Sequence, residues 1–157
     1  MTRNYGRARR GERVREATPS NHWRTLTILA ALSRKGLQAP MTIESPTDGD
    51  VFLAYLEQVL CPSLRPGQVV IMDNLAAHKV AGVREQIEAT GARLIYLPPY
   101  SPDFNPIEQA WSKLKQHLRA VKARTIDALE LAIADAIQTL TPDNALAWLG
   151  HCSYGLQ

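Results

Sequence analysis

The sequence has few of the residues that would place it in a specialised structural class. It contains only two cysteines, Cys61 and Cys152, whose spacing fits no metal motif, so we expect both to be reduced and structural. Its longest uninterrupted apolar run covers residues 28–32, far short of the roughly 20 residues that a membrane span needs. No apolar stretch follows the basic first residues, as a secretory signal would require. We therefore expect a cytosolic protein with no contact to a membrane.

Two common catalytic motifs are also missing. The sequence has no glycine-rich phosphate loop and no serine, histidine and aspartate at a recognisable spacing. His22, His117 and His151 show no metal-ligand spacing. The chain of 157 residues has the composition of one ordinary globular domain, with 45% hydrophobic and 21% charged residues.

Positive charge is concentrated in two segments. Residues 1–24 carry seven arginines against two glutamates, and residues 106–124 carry five basic residues against Glu108 alone, although the whole chain has a net charge of only +3. Two basic patches on a mildly acidic body indicate a polyanionic partner. A solvated arm and a solvated helix face would explain the same composition without a partner.

Apolar periodicity predicts an α/β order of elements. Residues 22–32 and 41–44 are predicted to form an antiparallel hairpin, and residues 50–60 a helix that Pro62 ends. The run 69–72 predicts a strand buried on both faces, residues 78–89 a helix closed by Gly91, and residues 93–97 another strand. Residues 126–140 predict an amphipathic helix, and a short helix opens at residue 141. The order indicates an α/β fold with a partly antiparallel edge.

A proline-rich connection precedes the clearest helix in the sequence. Residues 98–106 contain four prolines in nine residues, which makes this loop stiff because proline fixes φ. Asn105 is the predicted N-cap and Pro106 the first helical position. The helix then shows an apolar stripe formed by Ile107, Trp111, Leu114, Leu118 and Val121.

Two carboxylates lie at the ends of this central region, with thirty-four residues between them. Asp73 and Asn74 follow the predicted strand, at the edge where open α/β sheets place their sites, although a turn-forming Asp-Asn pair is the alternative. Glu108 lies in the first turn of the proline-led helix, where a capping box with Asn105 is the alternative. Together the two carboxylates could hold a divalent cation, because Mg²⁺ prefers carboxylate oxygens.

Three further residues are candidates for this site. His78 falls one helical turn past Asn74 and could contact the site, or it could be an ordinary polar residue near a helix start. Lys113 and Lys115 lie downstream of Glu108 and could contact DNA phosphates, or they could belong to a solvated helix face.

The segments MDNLAAHK and GARLIYLPPYSPDFNPIEQAWSKLK resemble the endonuclease domain of mariner-like bacterial insertion-sequence transposases. The resemblance extends from about Arg3 to the carboxyl end. It implies a ribonuclease-H-like mixed sheet flanked by helices, and a DDE/DDD mechanism in which three acidic residues bind two Mg²⁺ or Mn²⁺ ions. Water then attacks the transposon-end phosphodiester, and the freed 3′-hydroxyl attacks target DNA. By this match Asp73 is the second acidic residue and Glu108 the third, with Asn74, His78 and Asn105 supporting the site.

The resemblance also implies what this chain should lack. In that family the first acidic residue ends a strand just before the segment matching residues 2–13. Residues 1–157 are therefore expected to form one catalytic-type domain that is incomplete at its amino terminus, without the first, central strand and without a helix-turn-helix domain. The implied partners are transposon-end and target DNA in the nucleoid, the upstream-encoded half of the transposase, and a second copy of the complete protein.

We therefore predict a transposase endonuclease domain that is inactive alone, because one catalytic carboxylate is missing. The alternative is a non-catalytic nucleic-acid-binding or assembly module from a split or decayed transposase. Its predicted contacts to nucleic acid are Arg7, Arg9, Arg10, Lys113 and Lys115. A two-carboxylate glycosidase is a third possibility, but no sugar cleft is indicated.

Overall fold

A computed structural model describes residues 7–13 and 25–155, and it confirms the predicted α/β class with helices flanking the strands. Four strands and five α-helices follow one another in these residues: β1 Thr27–Ser33, β2 Gly36–Ile43, α1 Gly49–Tyr55, β3 Val69–Met72, α2 Val83–Ala89, β4 Arg93–Tyr96, α3 Ile107–Val121, α4 Ile126–Gln138 and α5 Pro142–His151. Both described cysteines are free thiols, as predicted. Among the described helices, none has the length and apolar character needed to span a bilayer.

The predicted hairpin is confirmed, with shifted boundaries. β1 and β2 pair antiparallel around a two-residue turn, and β2 begins five residues earlier than expected, at Gly36. Residues 22–24 of the predicted first strand lie outside the described residues. The pairing register shifts between Leu29 and Ala31, where Ala39 on β2 has a left-handed φ of 49°. The hydroxyl of Tyr55 donates to the Ala39 carbonyl at 3.0 Å, so α1 holds this bulge in place.

β3 and β4 form a second, parallel pair in which Val69 lies opposite Arg93 and Met72 opposite Tyr96. The prediction that β3 is buried on both faces is wrong, because the side chains of Val69 and Ile71 are 47% and 40% exposed. Only the alternate residues face a core. The physical reason is incomplete cover, since within the described residues the face of β3 that bears Val69 and Ile71 stays partly in contact with solvent.

Two helices differ from their predicted extents. The helix over residues 50–60 is confirmed, but its regular part ends at Tyr55 and it continues through a wide π turn and a 3₁₀ turn to Ser63. The predicted helix from residue 78 instead begins at Val83, because Gly82 has a φ of 96° that interrupts the helical path. His78 therefore lies in a separate 3₁₀ turn, Ala76–Lys79. Gly91 closes α2 with a φ of 80°, as predicted.

The core has two main parts. One part joins α1, α2 and the inner face of the β3–β4 pair, and its buried members include Phe52, Leu56 and Ile87. The other joins α3 to α4, where Leu114 and Leu118 pack against Ala132, Ile133 and Ala136. Together they fix α3 and the β3–β4 pair, the two elements that bear the candidate carboxylates.

Candidate metal site at the ends of β3 and the proline loop

Asp73 is the first residue after β3, and its carboxylate is partly held by its own turn. Oδ1 accepts a hydrogen bond from the Leu75 amide at 3.1 Å, so the turn-forming role considered for the Asp-Asn pair is present. The same oxygen lies 2.8 Å from Nδ1 of His78. Within the described residues, Oδ2 receives no hydrogen bond. The side chain is 33% exposed, so Oδ2 remains open to a ligand.

His78 is placed beside Asp73 by packing rather than by a regular helix. Its ring centroid lies 4.5 Å from that of Phe52, and its backbone carbonyl accepts a hydrogen bond of 2.6 Å from the Tyr96 hydroxyl. Nδ1 is buried and lies 2.8 Å from Oδ1 of Asp73, although the two atoms form no hydrogen bond. The predicted proximity of His78 to the site is therefore present.

Asn74 joins the end of β3 to the beginning of the proline loop. Its Nδ2 donates to the Leu97 carbonyl at 2.6 Å. The Leu97 amide in turn donates to the Met72 carbonyl at 2.8 Å, which extends the parallel pairing past β4. The loop therefore leaves the sheet directly beside Asp73.

The proline loop ends differently from the sequence prediction. Helix α3 begins at Ile107, so Pro106 rather than Asn105 is its N-cap, and no side-chain cap bond forms. The capping box with Glu108 is absent for a simple reason, since Pro106 has neither a side-chain acceptor nor a backbone N–H. The carboxylate of Glu108 makes no hydrogen bond or ion pair within the described residues. It is free to bind a ligand.

Asp73 and Glu108 both line one open pocket of about 420 Å³. Asn74 and Asn105 lie in the same wall, so four of the predicted site residues meet there. Lys79 and Tyr100 also line the pocket, and neither was predicted from the sequence. Tyr100 is fully exposed and has a left-handed φ of 56°, which no composition signal would have indicated.

The lining residues of this pocket carry the types of donor atom that a hard divalent cation prefers. Two carboxylates and two side-chain amides offer oxygen ligands, and Mg²⁺ commonly binds one or two carboxylates while it keeps several waters. Within the described residues, no group of three or more histidine, cysteine, aspartate or glutamate side chains is arranged to hold a metal. The pocket therefore provides two of the three carboxylates that the sequence resemblance implies.

The predicted nucleic-acid contacts lie outside this pocket. Arg7, Arg9 and Arg10 are exposed in the short described segment 7–13, and Lys115 is exposed on α3. Lys113 is different, because its ammonium group donates to the Thr139 carbonyl at 2.8 Å and to Oδ1 of Asn144 at 2.5 Å. Its contacts join α3 to the end of α4 and to α5.

An α/β fold that brings two carboxylates from the end of a strand and the start of a helix into one pocket defines a candidate divalent-cation site. A family model described as a DDE superfamily endonuclease matches residues 1–130. The chain belongs to this family.

Two curated relatives agree with this assignment. The Tcb2 transposase of Caenorhabditis briggsae is 32% identical over 85 residues, or 52% of this chain, and the Tc1 transposase of Caenorhabditis elegans is 36% identical over 62 residues, or 40% of this chain. The matches span 31% and 23% of these relatives' own lengths. The resemblance to mariner-like transposases is thereby confirmed, while the bacterial origin stays a prediction.

Among solved structures, the crystal structure of the catalytic core domain of BIV integrase is similar, with 17% identity and a TM-score of 0.48. The match covers 83% of this chain and 97% of the integrase core.

Proposed function

We propose that this chain is the endonuclease domain of a transposase, a single catalytic-type domain that acts on transposon-end and target DNA. The observation that carries the proposal is that Asp73 and Glu108, which are distant in sequence, line one pocket of oxygen donors in a chain of the DDE endonuclease family. Asp73 and Glu108 are the proposed cation ligands, and Asn74 and Asn105 support them.

Each residue has a definite part in this proposal. Asp73 offers Oδ2 because Oδ1 is engaged by the protein, and Glu108 offers its whole carboxylate. Asn74 holds the proline loop against the end of β3, which keeps the two carboxylates on one wall. When bound, a pair of Mg²⁺ or Mn²⁺ ions would supply activation of the attacking water and stabilisation of the leaving oxygen of a phosphodiester.

We propose further that the chain is inactive alone, because the family resemblance implies three catalytic carboxylates and two of them, Asp73 and Glu108, line the pocket. A third carboxylate would come from a strand of an upstream-encoded half of the transposase, in an assembly that is homodimeric when complete and bound to DNA in the nucleoid. Open strand edges support a strand partner. Within the described residues each of the four strands, β1 and β3 among them, has one edge with no neighbouring strand, and an unpaired edge readily accepts one.

The purified chain should therefore leave supercoiled plasmid DNA intact in the presence of Mn²⁺, because two carboxylates cannot complete the site. The measurement is conversion to nicked or linear plasmid on an agarose gel. Manganese-dependent nicking that disappears in Asp73→Asn but persists in Asp103→Asn would contradict the proposed inactivity. Asp103 is a suitable control because it lies in the same loop region but outside the pocket wall.

A second candidate function is a non-catalytic nucleic-acid-binding or assembly module. The specific observation in its favour is exposed basic surface at two places, the arginines of segment 7–13 and one face of α3. On α3, Lys115 and Arg119 are four residues apart, so they lie on the same face, and both are exposed.

This module predicts binding to duplex DNA that weakens steeply with salt, because each phosphate contact releases condensed counterions. Replacing Arg7, Arg9 and Arg10 with alanine should reduce the slope of log affinity against log salt by about two to three, since each contact contributes about 0.9. Fluorescence anisotropy with a labelled duplex gives the slope. Lys115→Ala should act in the same direction. A chain that fails to bind duplex DNA at low salt would exclude this module.

A further inference from the structure

We propose that His78 is a positioning residue for Asp73. It orients the carboxylate so that Oδ1 contacts the protein and Oδ2 is the one oxygen that can bind a cation. The inference rests on the proposed function, because it concerns how the same pocket binds its metal. It assigns Asp73 a single ligating oxygen and gives the reason.

The contacts of Asp73 support this assignment directly. Oδ1 receives the Leu75 amide at 3.1 Å and lies 2.8 Å from Nδ1 of His78. Oδ1 therefore has both of the protein neighbours of this carboxylate, one through a hydrogen bond and one through a close contact. Within the described residues, Oδ2 has no such neighbour. The two oxygens of Asp73 are therefore unequal before any cation arrives.

His78 is well suited to impose this difference because it cannot move freely. Its side chain is only 19% exposed, its ring lies against Phe52, and the Tyr96 hydroxyl binds its carbonyl. The next turn of chain is also fixed, since a Cβ added at Gly49 would come within 2.6 Å of Val80. Helix α1 thus packs closely against the segment that carries His78, and rigid support of this kind sets the geometry of metal ligands.

The Nδ1 atom also needs the carboxylate. It is a buried polar atom with no hydrogen-bond partner within the described residues, and Oδ1 of Asp73 lies 2.8 Å away. Buried polar groups are normally paired because an unpaired one is costly. A small rotation of the ring, or of the carboxylate when it takes a ligand, would make this contact linear. Packing and pairing therefore favour the same position of Asp73.

Two variants separate positioning from simple packing. In His78→Asn, the amide nitrogen occupies about the place of Nδ1 but the ring that packs on Phe52 is lost. In His78→Leu, apolar bulk remains against Phe52 but the donor is lost. If His78 serves only to pack, cation affinity should follow stability and the asparagine variant should be the worse of the two. If it positions Asp73, the order of cation affinities is reversed.

The experiment measures Mn²⁺ binding to the full chain by the EPR signal of free Mn²⁺, with urea unfolding of each variant as the measure of stability. We expect His78→Leu to bind Mn²⁺ about tenfold or more weakly, as for other residues that orient metal ligands, and to stay folded. We expect His78→Asn to unfold at lower urea and to bind Mn²⁺ within about threefold of the parent chain, because its donor is kept. Equal losses in both variants, or no loss in His78→Leu, would overturn the proposal.

A metal-free measurement distinguishes this proposal from the proposed function. The ¹⁵N chemical shift of His78 Nδ1 should change in Asp73→Asn but not in Asp103→Asn, because Asp73 is the carboxylate that lies 2.8 Å from this atom. Mn²⁺ binding by the parent chain that is equally strong in His78→Leu overturns only the role of His78. Failure of the parent chain to bind Mn²⁺ overturns the cation site, and with it the positioning role, even if the ¹⁵N signal shows the pair.

Discussion

Asp73→Asn and Glu108→Gln should each lower the affinity of the chain for Mn²⁺ by about tenfold or more. Each substitution keeps the size of the side chain and removes one negative charge from the pocket that both residues line. The expected loss of binding free energy is well below the Coulomb attraction between the cation and one carboxylate in the absence of screening by water. At an effective dielectric constant near 20, a charge about 4 Å away contributes on the order of 4 kcal/mol per unit of cation charge, and exposure to water reduces this value. A loss of about 1.4 kcal/mol already corresponds to tenfold in affinity.

Asp103→Asn provides the control for these two variants, because it removes the same charge from the proline loop without altering the pocket wall. Calorimetry or the EPR signal of free Mn²⁺ gives the affinities. The double variant should bind no Mn²⁺ measurably. Both single variants should keep their affinity for duplex DNA, or bind it more tightly, because a negative charge facing phosphate is removed. Affinities for Mn²⁺ that are equal in all three single variants would show that the two carboxylates hold no common ion.

Phe52→Ala should destabilise the chain by about 3–5 kcal/mol, the usual cost of removing a buried aromatic ring. The side chain of Phe52 is only 3% exposed, and it lies in the core part that joins α1, α2 and the β3–β4 pair. A domain of this size has a total stability of about 5–15 kcal/mol, so the variant should be close to unfolding at 37 °C. Urea unfolding followed by circular dichroism measures the change.

The chain contains one other phenylalanine, and it provides a matched control. Phe104 is 47% exposed in the proline loop, so Phe104→Ala should cost less than about 1 kcal/mol. Because the ring of Phe52 also contacts His78, Phe52→Ala should weaken Mn²⁺ binding under conditions in which the chain stays folded. Similar stabilities for the two alanine variants would contradict the described core.

The sequence predicted best where a single local signal decides the structure. The run 69–72 followed by Asp73 gave the limits of β3 to the residue, because a short apolar run and a polar pair mark both ends of a strand. The extent of α3 was also predicted to within one residue. The N-cap was misplaced because Asn105 and Pro106 are both acceptable residues near a helix start, and only the backbone path decides between them.

Burial was harder to predict, because it depends on contacts between distant segments. The pattern of β3 is apolar on both faces, and nothing in the residues 69–72 themselves tells whether a second layer covers Val69 and Ile71. The start of α2 was predicted wrongly for a different reason. A glycine can occur inside a helix, so the sequence did not show that Gly82 has a positive φ, which interrupts the helical backbone. Tertiary context decided both outcomes.

The candidate site was partly predictable for a topological reason. Parallel neighbours such as β3 and β4 end at the same edge, so a carboxylate after one and a loop after the other are brought together. The thirty-four residues between Asp73 and Glu108 contain helix α2, strand β4 and the stiff proline loop, which returns the chain to the edge where β3 ends. The contact of His78 with Asp73 and the places of Lys79 and Tyr100 depend on side-chain packing, which sequence spacing does not report.

The uncovered side of β3 has a consequence for handling the protein. Val69, Ile71 and Ile95 present adjacent apolar side chains to water, next to a strand edge that has no neighbour within the described residues. Natural proteins usually place charged side chains, proline or a covering helix or loop at such edges, because an open apolar edge pairs with other chains and nucleates aggregates. Arg93, opposite Val69, supplies the nearest positive charge on the paired strand. Precipitation on concentration is thus a hazard built into the same sheet that carries Asp73.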